Sequence, residues 1–86
     1  MNSSIPMNKL HHGEKAVVTQ LHTVGSMRRR FLDIGLAPNT VVECLGRSPG
    51  GDPSAYLIRG AVIAIRACDS RTVRVRRLRE DGSLWD

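Results

Sequence analysis

Aromatic side chains are nearly missing from this sequence: Phe31, Tyr56 and Trp85 are the only three among 86 residues. A core must therefore be assembled from Val, Ile, Leu and Ala, and few rings remain as stacking platforms for nucleic-acid bases. Cysteine is equally sparse. Cys44 and Cys68 are too few for the disulfide framework of small secreted domains. No apolar run approaches the roughly 18 residues needed to cross a bilayer. The first ten residues, which include Asn, Ser, Pro and Lys, make no apolar stretch of the signal-peptide kind. The chain is thus expected to be soluble and cytoplasmic, with no direct membrane insertion. No internal repeat or low-complexity block is present.

The arrangements that enzymes and metal sites require are missing too. Cys68 and Asp69 adjoin, but no histidine lies near them in sequence, and a nucleophilic thiol needs a base or a lowered pKa. Gly50-Gly51-Asp52 lacks the following Lys-Ser/Thr of a phosphate-cradling loop and opens no helix, so turn geometry explains it. His11 and His12 are adjacent and project in different directions. With His22 and the two cysteines they make no C-x-x-C or H-x-x-x-H spacing. The expectation is a protein that is not an enzyme, with no cofactor and no metal site.

What is abundant is positive charge. Eleven arginines and two lysines face eight acids, a net charge of +5. Such a surface suits acidic protein faces, anionic headgroups or nucleic acid, without choosing among them. The length fits one domain with a thin core, since so short a chain buries only about 60–65% of its unfolded surface.

Along the chain, residues 5–12 fit a short helical turn or irregular structure. Lys15 to Leu21 reads as a strand in which Ala16 and Val18 share a face, with a bulge or strand end where Leu21 falls out of phase. The period then changes. Met27, Phe31 and Ile34 lie on one face of a helix, Leu32 widens that stripe, Ser26 suits the N-cap, and Gly35 suits a left-handed end. Pro38-Asn39 fits the centre of a type II turn. Further strands are expected over Thr40 to Gly46, Ser54 to Arg59, Val62 to Ala67 and Arg71 to Leu78. Their inward residues are Val42 and Cys44, Tyr56 and Ile58, Ile63 and Ile65, and Val73 and Val75; Arg74 and Arg76 point outward. Gly60-Ala61 makes a tight reversal, and Cys68-Asp69-Ser70 a short turn. Five short strands can bury one face only by curling up. The fold class is mainly β: a small five-stranded barrel with one short helix after the first strand. It divides into an N-terminal segment (1–12), the barrel (13–78) and a tail (79–86) that carries Trp85.

The run Met27-Arg28-Arg29-Arg30-Phe31-Leu32-Asp33-Ile34-Gly35-Leu36-Ala37-Pro38 resembles the FeoA family, in which a basic amphipathic helix ends in Asp, an apolar residue, Gly-Leu and a turn proline. Pro49 to Pro53 is similar to that family's loop before the third strand, Arg59-Gly60 and Ile63 to Arg66 to its hairpin, and Val73-Arg74-Val75 to its closing strand. Asn39 departs from the family's usual Gly and Cys44 from its usual aliphatic residue. The resemblance implies an SH3-like barrel that assists FeoB, the membrane transporter of ferrous iron, by acting on the transporter's cytosolic part. The partner-binding candidates are Arg28, Arg29 and Arg30, whose forked guanidinium groups suit carboxylates. Two alternatives use the same features: a nucleic-acid-binding barrel, disfavoured by the inward placement of Tyr56 and Phe31, and a metal-sensing module like the SH3-like tail of some metal-dependent repressors.

Overall fold

The computed structural model describes residues 4–79. Among them are six strands: β1 (Ile5–Pro6), β2 (Lys15–Leu21), β3 (Val41–Arg47), β4 (Ser54–Ile58), β5 (Ala61–Ile65) and β6 (Val73–Leu78). Helix α1 (Gly25–Asp33) follows β2, α2 (Ala67–Ser70) follows β5, and a 3-10 turn spans Met7–Lys9. All strands are antiparallel within one sheet, in the order β1-β6-β2-β3-β4-β5. This is the SH3-like fold. Residues 80–86, where the expectations for Leu84 and Trp85 fall, lie outside the described residues.

Alternation selects the core. Ala16, Val18, Val42, Cys44, Tyr56, Ile58, Val73 and Val75 are all buried, and their strand neighbours are more exposed. The five expected strands are present with ends shifted by one or two residues. The phase error at Leu21 is a bulge: the β2–β6 register slips between Val18 and Gln20, so Thr19 is extra and Leu21 turns back toward the core.

The sixth strand, β1, falls at the start of the segment where a short helical turn or irregular structure was expected, and the 3-10 turn Met7–Lys9 follows it. Ile5 pairs with Val75 and Pro6 with Arg74. A proline survives here because an edge position asks nothing of its missing N–H. Arg74 adds bonds from Nε to Ser4 Oγ at 3.0 Å and from a terminal nitrogen to Ser4 O at 2.6 Å. Arg74 is therefore half-buried rather than turned fully to solvent, and Arg76 is half-buried as well. Arg77 pairs with Glu14 at 3.0 Å. Met7 and Leu10 then drop into the common core.

Two local expectations change. Cys68-Asp69-Ser70 belongs to the one-turn helix α2, whose Ala67 N–H donates to Asp52 Oδ1 at 2.9 Å. The reversal between β4 and β5 is Arg59-Gly60, one residue earlier than expected, because Ile58 pairs with Ala61. Its φ values of +50° and +83° are those of a type I′ hairpin, and arginine occupies a left-handed position there.

Candidate functional site

Helix α1 is the centre of the candidate surface. It is held by Phe31, 3% exposed, with Met27 and Ile34 half-buried beside it. Its beginning differs from the sequence reading. Val24 precedes the first turn in extended conformation, no side chain caps it, and Ser26 lies inside the helix. Gly25, at φ +67°, turns the chain so that the helix begins before Ser26. Leu32 is 42% exposed and does not widen the buried stripe. One helical position rotates about 100°, which carries it from the Phe31 side toward solvent. Gly35 ends the helix at φ +91°. The next turn closes by a bond from Thr40 N–H to Ala37 O at 3.1 Å, with Asn39 at φ +75°.

Gly35 is also pinned by a neighbour. The Arg59 side chain lies over it, donating from Nε to Gly35 O at 3.4 Å, and a Cβ at position 35 would collide with Arg59 Cδ. The helix end and the β4–β5 hairpin are thus locked face to face.

The three consecutive arginines are all exposed, but they do different things. Arg28 folds back, donating to Leu21 O at 2.6 Å and Thr23 O at 3.4 Å. It ties the β2–α1 connection to the helix, and its guanidinium is partly occupied within the fold. Arg29 and Arg30 have no hydrogen-bond or ion-pair partner among the described residues. Two unengaged guanidinium groups thus leave neighbouring positions of the helix about 100° apart, Arg30 toward β5 and Arg29 toward the side of Leu32 and Asp33.

Arg30 also borders a groove of about 290 Å³ between α1 and β5. Met27, Phe31 and Ile34 form its helical side, Ile63 and Ile65 its strand side, and Arg66 stands across from Arg30. Arg66 pairs with Asp69 at 3.3 Å, and its side chain stays 66% exposed. Sequence reading assigned Ile63 and Ile65 to the core and gave Arg66 no role. The groove exists because α1 and β5, about 30 residues apart in sequence, meet only in the folded chain.

The other candidates do not converge. Cys44 is buried and Cys68 exposed, both as free thiols. Among the described residues no three His, Cys, Asp or Glu side chains gather as metal ligands would. No helix there is long and apolar enough to cross a membrane. Among the described residues Tyr56 is the one whose titration is clearly displaced. Burial raises its pKa above 10.0, and hydrogen bonding to Ser70 opposes this in part.

Fold and surface together define a small SH3-like β domain that presents a basic helix beside an open groove. The FeoA domain model matches residues 5–77, and the chain belongs to that family, which is associated with ferrous iron transport. Among solved structures, it resembles a FeoA-like protein from Clostridium acetobutylicum at 28% identity, with a TM-score of 0.82 and 93% of each chain covered. It resembles FeoA from Chlorobium tepidum at 27% identity and TM-score 0.78, covering 83% of this chain and 68% of that one. Zinc-complexed FeoA from Stenotrophomonas maltophilia, a prokaryotic SH3 domain protein, is similar at 25% identity and TM-score 0.68, with 80% and 86% covered. No curated protein sequence matches the chain significantly.

Proposed function

We propose that this chain is a non-enzymatic cytoplasmic accessory protein of ferrous iron uptake that docks on the cytosolic part of a FeoB-type transporter through the basic face of α1. Family membership supports the process, and the S. maltophilia relative is described as a candidate activating factor of ferrous iron transport. The observation that carries the docking reading is the pair Arg29 and Arg30, exposed and without a partner among the described residues. Arg28 serves the same surface indirectly, by fixing the start of the helix that presents them.

Unengaged guanidinium forks have high capacity for bidentate carboxylate bonds, so the complementary face on the transporter is acidic. Opposite charges in a wet rim mainly set the encounter rate and the register, and salt screens them. A nucleic-acid reading is less well supported, because Phe31 and Tyr56 are both buried and offer no stacking platform.

The test is a titration of the full chain against the isolated cytosolic domain of the cognate transporter at low and at high salt. Saturable one-to-one binding that weakens with added salt is expected. Absence of binding at low salt would overturn the reading, as would tighter binding to a single-stranded oligonucleotide.

A further inference from the structure

The sheet has two edges, and they are treated differently. At one, β1 is two residues long and contains Pro6, and both features discourage further pairing. At the other, β5 is five residues, Ala-Val-Ile-Ala-Ile, with no charge, proline or bulge. Among the described residues its only strand partner is β4. Ile58 and Ala61 flank the two-residue hairpin and form a hydrogen-bonded pair, so the alternation puts the N–H and C=O of Val62 and Ala64 on the outer side. Among the described residues no turn or loop backbone group bonds to either. Val62 is 67% exposed, Ala64 is exposed, and the groove beside α1 runs along this edge.

We infer that β5 receives an extended, carboxylate-bearing segment of the partner protein as an added strand. The added backbone bonds to Val62 and Ala64, and its alternate side chains enter the groove against Phe31 and Ile63. This rests on the docking reading above and gives it a structural mode, strand addition to an exposed sheet edge. Charge selects the occupant. Arg30 and Arg66 border the groove with a single acid, Asp69, already paired to Arg66, so an incoming carboxylate finds Arg30 unengaged. The same charge disfavours a second copy of this chain. Antiparallel pairing of two β5 strands about Ile63 would set Arg66 of each opposite Gly60 of the other and so diagonally beside Arg59, and crowding like charges at both ends disfavours that pair.

The test uses the full chain and the cytosolic domain of the transporter. Amide exchange followed by NMR should show the Val62 and Ala64 N–H groups gaining at least about tenfold protection in the complex, as for newly formed ladder bonds. Ala64→Pro removes an outward donor without touching the β4 ladder, and should weaken binding by about tenfold with an unchanged melting temperature. If that variant fails to fold, the exchange result on the native chain decides alone. A complex that forms with no added protection at Val62 and Ala64, or that binds the folded proline variant equally well, overturns strand addition and leaves the docking reading standing. No complex at all removes both. Protection of the same amides on concentrating the chain by itself would assign the edge to self-association and overturn the inference.

Discussion

Replacing Gly35 by alanine tests how the candidate helix is positioned. The site is held twice: the backbone is at φ +91°, and the Arg59 side chain occupies the space a Cβ would enter. An L-residue in left-handed conformation costs roughly 1–2 kcal/mol. The arginine must also swing away, losing its 3.4 Å bond to Gly35 O, an exposed contact worth on the order of 0.5 kcal/mol. The sum is about 1.5–2.5 kcal/mol. With a urea slope of roughly 1–1.5 kcal/mol/M for so small a domain, the unfolding midpoint should fall by about 1–2.5 M. Urea titration followed by circular dichroism reads this directly. The two contributions separate in a double-mutant cycle. In an Arg59→Ala background the clash and the bond are already gone, so Gly35→Ala should cost less there by about 0.5 kcal/mol. A Gly35→Ala midpoint within about 0.3 M of the native chain would refute the reasoning. A cost that rises in the Arg59→Ala background would refute the clash alone.

Three further outcomes follow from the same packing. Phe31→Ala removes the buried anchor of α1 and should cost about 3–5 kcal/mol, enough to leave a domain of this size largely unfolded, as a flattened thermal transition would show. Arg28→Ala should lower stability by about 0.5–1.5 kcal/mol through its lost bonds to Leu21 O and Thr23 O, while changing affinity for the transporter domain far less than changes at Arg29 and Arg30. Tyr56 titrates above 10.0 in the folded chain, so the unfolded chain ionises first. Its contribution is complete below pH 10 and declines as pH rises through the folded value. The stability difference between the native chain and Tyr56→Phe should therefore narrow above pH 10 in pH-dependent unfolding.

Much of the fold was legible because period-2 and period-3.6 patterns act locally. Val42 with Cys44, Tyr56 with Ile58, and Val73 with Val75 all fall inward as their alternation demands. The phase slip at Leu21 read through to a real bulge, and Pro38-Asn39 to a real turn. What failed depended on tertiary partners. β1 exists because Val75 and Arg74 are there to pair with it, and a two-residue strand has no period to detect. Arg28 looked equivalent to Arg29 and Arg30 in sequence, and only the return of the chain through Leu21 to Thr23 distinguishes it. The groove was illegible for the same reason: Ile63 and Ile65 do pack on the core as their alternation demands, but the sequence does not say that α1 lies beside β5 and leaves a groove between them.

The most direct measurement is the calorimetric affinity of the charge-reversed Arg29→Glu, Arg30→Glu chain for the transporter's cytosolic domain, alongside the native chain. Neither side chain holds the fold together, so the variant should melt as the native chain does. Reversing two rim charges should weaken binding at least about tenfold at low salt. Equal affinity in a correctly folded variant would contradict the assignment of α1 as the docking face.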